Sequence, residues 1–129
     1  MSKYEPWAAY GQSKLANVLF CSEFARRMKD SGVTCNSLHP GSIRTELTRH
    51  IEKSMAASVL AVGEMLSTPI LMNADDGALT QLYVATAPEL AGVSGEYFTP
   101  TATKGLAAPR GRDVALAKLL WEESERLTR

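Results

Sequence analysis

Residues 33–41 read VTCNSLHPG, a short apolar segment that a Pro-Gly turn brings to an end. From Val33 to Leu38 the segment is partly β-branched, and its apolar residues do not alternate cleanly with polar ones. This pattern is typical of a strand covered on both faces, as in parallel sheets. Pro40 and Gly41 then force a turn. We therefore predict a buried parallel strand over the first six residues, with a loop leaving its carboxyl end.

The chain before this strand has the pattern of one long amphipathic helix, from about residue 8 to residue 29. Pro6 suits a first helical turn, because its missing N–H would be unpaired there in any case. Gly32 suits the left-handed position that often follows a helix. Apolar residues recur at helical spacing between these two signals. They are Leu15, Leu19, Phe20, Phe24 and Met28.

The remaining chain alternates helical and strand patterns. We predict broken helix and loop over 44–73, with Pro69 opening a new segment. A helix with Ala78, Leu82 and Ala85 along one stripe follows. The alternation is typical of an α/β fold with a parallel sheet, and two strands make only part of one. The predicted later elements are a helix over 75–86, a strand over 94–99, a loop over 100–112 and a helix over 113–127.

Composition limits the kinds of partner that the chain can have. Its 129 residues are enough for one domain, and fourteen basic residues balance fourteen acidic ones. Without a positive field, nucleic acid is not expected as a partner. Cys21 and Cys35 have no metal-ligand spacing, so we expect no metal site and two buried structural thiols in a reducing compartment. No segment has the length of a membrane span. We expect a cytoplasmic protein as written, and a membrane anchor upstream of Met1 stays open.

Tyr10 and Lys14 stand four residues apart within AYGQSKLANVLF, residues 9–20. Residues at this spacing share a helix face, with Cβ atoms roughly 5–6 Å apart. A free phenol loses its proton only near pH 10, and a neighbouring ammonium group favours the phenolate. A tyrosine assisted in this way can exchange a proton with a carbonyl or alcohol while hydride moves to or from a nicotinamide. On the pair alone, the favoured interpretation is an exposed tyrosine beside a solvated lysine.

Five linked motifs follow one another along nearly the whole chain. They are Tyr10-x-x-Ser13-Lys14 with Leu15-Ala16-Asn17, the His39-Pro40-Gly41 turn with Thr45, Gly77-Ala78 after Pro69, Ser94-Gly95-Glu96-Tyr97-Phe98, and Leu120-Trp121-Glu122-Glu123-Ser124-Glu125. Their order and spacing resemble the short-chain dehydrogenase/reductase family, and more narrowly its retinol dehydrogenase branch. The resemblance implies the C-terminal part of a Rossmann-like doubly wound parallel sheet, so residues 1–129 form a single partial domain.

The resemblance also implies an activity, the NAD(P)(H)-dependent interconversion of alcohols and carbonyls. Tyr10 is implied to be the catalytic acid/base, and Lys14 to assist it and to bind the nicotinamide ribose. The implied cofactor is NADP(H) or NAD(H), with NADP favoured, and the implied substrate is a lipophilic alcohol or carbonyl such as retinol or retinal. The implied cofactor-binding residues are Lys14, Pro40, Gly41, Ile43 and Thr45.

Several residues near these motifs are open to plainer interpretations. Residues 46–68 would form a flap over the substrate, and their apolar, Met-containing character suits a lipophilic ligand and plain packing equally. His39 is better explained as shaping the Pro-Gly turn than as a catalyst. Arg44 could contact a cofactor phosphate or be solvated. We expect Ser13 to pack or to form a local hydrogen bond rather than to act as a nucleophile.

Two parts of the family's site have no counterpart in the 129 residues. No GxxxGxG cluster follows a strand, and no catalytic serine lies about a dozen residues before Tyr10. The N-terminal nucleotide-binding βαβαβ half is therefore missing. We expect these residues alone to be a poor binding site for the cofactor and to be catalytically inactive. A second hypothesis is a non-catalytic interaction module, which forms a homo- or heterodimer through helix 8–29.

Overall fold

Three helices and a small mixed sheet make up the part of the chain that the structure, a computed structural model, describes: residues 4–41 and 72–129. The strands have the order β1-β2-β3, with β1 parallel to β2 and β2 antiparallel to β3. The elements are α1 (Pro6–Arg27), β1 (Ser37–Leu38), α2 (Ala74–Thr86), β2 (Tyr97–Thr99), β3 (Thr103–Gly105) and α3 (Val114–Thr128), with short 3₁₀ turns at Pro88–Leu90 and Pro109–Arg112.

Helix α1 begins and ends close to the predicted positions. Pro6 occupies its first turn, and Met28 caps its end by donating its N–H to the carbonyl of Phe24. The chain then leaves the helix through two left-handed residues, Asp30 and Gly32, with φ of 70° and 78°. Glycine adopts left-handed backbone without steric cost, and Gly32 is therefore a reliable sequence signal for the end of a helix.

The predicted parallel pairing of the two strands is confirmed. Leu38 lies opposite Phe98, and the N–H of His39 donates to the carbonyl of Phe98 at 2.8 Å. Strand β1 is shorter than the predicted 33–38. Asn36 explains part of the difference, because its side-chain amide donates to the carbonyl of Val93 and its Oδ1 accepts from the N–H of Glu96. The Asn36 side chain thus joins the segments that lead into β1 and β2, just before the backbone hydrogen bonds between the two strands begin.

The prediction of a loop over 100–112 was wrong. Strand β3 lies inside that range and pairs with β2 as a hairpin, and a 3₁₀ turn follows it. The hairpin turn contains Thr101 and Ala102 at φ of 64° and 59°. Neither residue is of the type that favours left-handed backbone, and Lys104 in the strand is exposed, so the sequence carried no hairpin signal.

The core of the described chain lies where α1 packs on α3 and on the sheet. Its most buried apolar residues are Leu19, Cys21, Phe98 and Ala117, each at most 3% exposed. Cys21 donates its Sγ–H to the carbonyl of Cys35 at 3.1 Å, and burial raises the pKa of its thiol to about 12. Both cysteines are free, and Cys35 is half-buried rather than buried.

Helix α2 buries a different stripe from the one that the sequence predicts. Gly77 and Thr80 are its buried residues, and the ring of Tyr83 meets that of Phe98 edge-on at 6.3 Å. Leu82, predicted to be core, is 58% exposed. Thr80 on the buried side of α2 meets the hairpin directly, because its Oγ1 accepts a hydrogen bond from the N–H of Ala102 at 3.2 Å. None of the helices described here is long and apolar enough to cross a membrane.

An aromatic and ionic cluster at the end of α1 joins this helix to α3. The ring of Trp121 stacks on Phe20 at 5.4 Å, and the guanidinium of Arg27 lies 4.8 Å from the Trp121 ring. Glu23 is 1% exposed and accepts hydrogen bonds from Arg26 at 2.8 Å and Arg27 at 2.7 Å. These hydrogen bonds, those from Arg26 first, outweigh desolvation and lower the pKa of Glu23 to about 2.

We expect Glu23→Gln to lower the free energy of unfolding at pH 7 by about 1–2 kcal/mol, because charge-assisted hydrogen bonds are lost. The folded pKa of Glu23 lies below its ordinary value of 4.5, so its stabilisation is complete above about pH 4.5 and is lost as the pH falls through about 2. Urea unfolding at pH 7, 4.5 and 2.5 measures this. In the matched control Glu123→Gln, which breaks an exposed pair with Arg126, the change should be much smaller. Equal losses in the two variants would contradict the assignment.

Candidate active site

Tyr10 and Lys14 contact each other on the N-terminal half of α1. The Nζ of Lys14 lies 5.4 Å from the centroid of the Tyr10 ring, within the range of a cation–π interaction. Tyr10 is half-buried and Lys14 is exposed. Ser13 donates its hydroxyl to the carbonyl of Tyr10 at 2.7 Å, which is the local hydrogen bond that we expected. The helical spacing thus produces a real contact, while the catalytic role of the two residues stays a prediction.

The face of α1 that carries this pair also carries a contact with the segment leading into β1. At 100° per residue, Tyr10, Lys14 and Cys21 fall on one stripe of the helix. Cys21 is bonded to the carbonyl of Cys35, two residues before β1. The Tyr10–Lys14 pair therefore lies along the side of α1 that turns toward the sheet, and not along the side that packs on α3.

The His39-Pro40-Gly41 turn follows β1 directly and is closed by one side chain. The N–H of Gly41 donates to Nδ1 of His39 at 3.0 Å. An accepting Nδ1 carries no hydrogen, so the imidazole holds its proton on Nε2 while this bond lasts. Gly41 has φ of 93°, a left-handed value that the turn requires. The geometry agrees with the prediction that His39 shapes the turn.

Two residues that the sequence did not single out enclose Gly41. A Cβ placed on Gly41 would lie 2.8 Å from Sδ of Met72 and 3.3 Å from Cγ of Pro100. Met72 precedes α2, and Pro100 begins the turn between β2 and β3. The only sequence signal for Pro100 is a proline directly after the strand motif, which by itself indicates no more than a turn.

Part of the predicted site lies outside the described residues. This applies to Ile43 and Thr45 of the predicted cofactor loop, to Arg44, and to the predicted flap over 46–68. Of the predicted site residues, the structure brings Tyr10 and Lys14 together on α1, and it places Pro40 and Gly41 at the carboxyl end of β1, where open α/β sheets bind ligands. Among the described residues, no group of three His, Cys, Asp or Glu side chains could hold a metal ion.

Comparisons with known proteins identify the family. A family model described as short chain dehydrogenase matches residues 1–56. Retinol dehydrogenase 13 of Homo sapiens is 46% identical over 127 residues, which cover 97% of this chain and 38% of that protein. The chain belongs to the short-chain dehydrogenase/reductase family. Retinol dehydrogenase 14 of Homo sapiens is 40% identical over 122 residues, 95% of this chain and 35% of that protein.

Membership of the short-chain dehydrogenase/reductase family agrees with the observed architecture. WW domain-containing oxidoreductase of Danio rerio is a further relative, 42% identical over 119 residues, 92% of this chain and 27% of that protein. The chain spans about a third of the length of the curated retinol dehydrogenases that it matches. The family implies a Rossmann-like fold, and the parallel β1–β2 pair with its helices is a small α/β part consistent with that fold.

Proposed function

We propose that this chain carries the proton-transfer and nicotinamide-side part of an oxidoreductase that interconverts alcohols and carbonyls. The observation that carries the proposal is the Tyr10–Lys14 contact on the face of α1 that turns toward the sheet. The chain reverses direction between α1 and β1 within nine residues, so the two packed elements run in opposite directions. The N-terminal end of α1 and the carboxyl end of β1 therefore belong to the same end of the fold.

In the proposed reaction Tyr10 is the acid/base. Its phenol donates a proton to the carbonyl oxygen of the substrate in reduction, and its phenolate takes that proton from the alcohol in oxidation. The Lys14 ammonium stabilises the phenolate by Coulomb attraction, and burial of the site by substrate would strengthen that attraction. An ammonium group has three donors, so Lys14 can bind a ribose hydroxyl while it faces the tyrosine.

The proposed cofactor is NADP(H) or NAD(H), with NADP favoured, and it would supply or accept the hydride. The described residues fit only one end of such a molecule. Gly41, with φ of 93°, lies in the turn at the carboxyl end of β1, the edge at which open α/β sheets bind ligands. Lys14, Pro40 and Gly41 would hold the nicotinamide side, together with Ile43 and Thr45.

The adenosine and pyrophosphate side has no such fit. The 129 residues contain no glycine-rich turn between a strand and a helix, and no serine precedes Tyr10 at the family's spacing. A pyrophosphate needs backbone N–H groups at a helix N-terminus, and the substrate carbonyl needs a hydroxyl to polarise it. We therefore propose that residues 1–129 form a single partial domain, which as an isolated polypeptide gives no measurable turnover.

The proposed substrate is a lipophilic alcohol or carbonyl of the retinol and retinal kind. Support comes from the names of the two retinol dehydrogenases that match 95–97% of this chain. Residues 46–68, which the resemblance assigns to the substrate flap, include the apolar stretch 55–62 and two methionines, Met55 and Met65. Flexible methionine side chains adapt to irregular apolar ligands.

The proposal is tested by asking whether the segment works in a complete framework. In a chimera, the matched part of this chain, 97% of its length, replaces the corresponding segment of human retinol dehydrogenase 13. NADPH-dependent reduction of retinal is measured for the chimera and for the isolated chain. We expect turnover from the chimera and none from the isolated chain. A correctly folded chimera that binds NADPH and retinal without turnover would contradict the proposal.

A second candidate function, an interaction module, rests on a groove between α1 and α3. The groove has a volume of about 590 Å³, and Arg110 and Glu123 stand at its edges. Leu119, in its wall, is 62% exposed. The other lining residues are small or apolar apart from one glutamine: Ala8, Gly11, Gln12, Leu15, Ala16, Leu19, Leu116 and Leu120. An open apolar groove along α1 favours the predicted homo- or heterodimer through this helix.

The groove has a direct test. If it forms a dimer interface, wild-type protein sediments as a dimer at micromolar concentration, and Leu119→Glu converts it to a monomer of unchanged helicity. Leu106→Glu is the matched control, because Leu106 is 79% exposed and does not line the groove. A monomeric wild type, or a dimer that tolerates Leu119→Glu, would count against the module.

A further inference from the structure

Thr80 is a fully buried polar residue on α2 whose hydroxyl serves a distant turn. Its side chain is 0% exposed, and its Oγ1 accepts a hydrogen bond from the N–H of Ala102 at 3.2 Å. The two residues are 22 positions apart in the chain. Burying a hydroxyl is unfavourable unless it is hydrogen-bonded. The hydrogen bond with Ala102 therefore explains why a polar residue is tolerated on the buried side of α2.

The turn that Thr80 holds is conformationally unfavourable. Thr101 and Ala102 are consecutive left-handed residues, with φ of 64° and 59°, and neither is a glycine. A β-branched residue such as Thr101 seldom adopts this region, because its Cβ crowds the neighbouring carbonyl. Such a turn persists only when surrounding contacts over-determine it. The hydrogen bond from Ala102 to Thr80 is one of those contacts.

The same turn reaches the proposed site. It begins at Pro100, whose ring carbon Cγ lies 3.3 Å from the position of a Cβ on Gly41. Gly41 in turn donates its N–H to Nδ1 of His39. The hairpin turn that bonds to the buried hydroxyl of Thr80 therefore also lies next to the backbone that leaves β1.

We propose that Thr80 is a positioning residue for the turn at the carboxyl end of β1. It fixes the left-handed hairpin turn, the turn fixes the ring of Pro100, and the ring fixes Gly41 and the His39 hydrogen bond. The proposal deepens the proposed function and rests on it, since the importance of the Gly41 turn depends on the nicotinamide being held there. Thr80 itself touches no reacting atom.

The hydrogen bond between Thr80 and Ala102 needs the hydroxyl of Thr80 and does not need its methyl group. Valine has nearly the same shape as threonine but no acceptor, so in Thr80→Val the N–H of the half-buried Ala102 would lose its partner. The turn would then relax out of the left-handed region and carry Pro100 away from Gly41. Serine keeps the acceptor, and a glycine at position 102 would need no restraint to adopt positive φ.

Nuclear magnetic resonance of the 129-residue chain tests this series of contacts. In Thr80→Val we expect the amide of Ala102 to exchange with deuterium at least about tenfold faster, since a tenfold change corresponds to one net hydrogen bond. We also expect the Gly41 amide signal and the His39 ring-nitrogen signals, which report the tautomer, to shift. Thr80→Ser should leave all three unchanged. Thr86→Val is the matched control, because Thr86 lies on the same helix, is exposed and bonds only to the carbonyl of Leu82 in its own helix.

Two results would overturn the positioning role. One is a Thr80→Val variant in which Ala102 exchanges faster while the Gly41 and His39 signals stay as in the wild type. The other is the same shift in Thr86→Val. If Thr80→Val does not fold, the double variant Thr80→Val with Ala102→Gly decides: wild-type signals at Gly41 support the proposal, and shifted signals refute it. These signals need no turnover, so a chimera that fails to reduce retinal would refute the proposed function and leave this coupling intact.

Discussion

Replacing Tyr10 by phenylalanine in the chimera with human retinol dehydrogenase 13 should lower kcat for retinal reduction at least about 100-fold, since a positioned general acid contributes 10²–10⁴. The substitution removes one oxygen and keeps the ring, so the cation–π contact with Lys14 at 5.4 Å is preserved. The loss therefore measures proton transfer and not packing. The KM for retinal should change much less than kcat, because the phenol acts mainly in the transition state.

Two further variants make this result specific. Tyr83→Phe removes the hydroxyl of another half-buried tyrosine, on α2, whose ring packs edge-on against Phe98. It should leave kcat within about twofold, because Tyr83 belongs to the packing of α2 on the sheet and a surface or packing change of this size has a small effect. Lys14→Met keeps the length of the side chain and removes the charge, and should lower kcat and weaken NADPH binding together. A Tyr10→Phe chimera with wild-type turnover would remove the acid/base assignment.

Gly41→Ala should be more destabilising than the same substitution at a left-handed glycine that stands in open space. The left-handed backbone alone costs an alanine about 1–2 kcal/mol. At Gly41 the new Cβ would also lie 2.8 Å from Met72 Sδ and 3.3 Å from Pro100 Cγ. We expect the free energy of unfolding to fall by about 2–3 kcal/mol in total, since the flexible Met72 side chain can move part of the way, and this is a large part of the stability of a small domain.

Gly32→Ala is the control for this measurement. Gly32 has φ of 78° but no atom within 4 Å of the position of a Cβ, so its alanine variant carries the backbone cost alone. The difference between the two variants in urea unfolding isolates the contacts with Met72 and Pro100. Met72→Ala in the Gly41→Ala background should recover part of the loss. Equal destabilisation at both glycines would mean that Gly41 is not enclosed.

The sequence predicts the elements that depend on local pattern. The helix over 8–29 is found as Pro6–Arg27, and the strand after it pairs in parallel with the strand after α2. Spacing alone also predicts the Tyr10–Lys14 contact, because residues four apart on a helix meet whatever surrounds them. The parallel pairing follows from a strand without alternation, which indicates cover on both faces.

Features that depend on tertiary contacts were not predictable in this way. The hairpin turn at Thr101 and Ala102 lacks the usual turn residues because Thr80, on another element, restrains it. The sequence predicts a stripe of Ala78, Leu82 and Ala85 on α2, yet the buried residues of this helix are Gly77 and Thr80. Pro100 and Met72 reach Gly41 only once the sheet has formed.

The bridging amide of Asn36 has a consequence for the order of folding. Its bonds to Val93 and Glu96, and the bond from Cys35 to Ser94, join residues 57 to 60 positions apart. Closing a loop of that length costs on the order of 3–4 kcal/mol of chain entropy before any contact repays it. Helix α1 needs no such closure, so it can form early, whereas the β1–β2 pair must form late. The helix that carries Tyr10 can thus form before the turn that it is proposed to face, and the site is completed only after a long loop has closed.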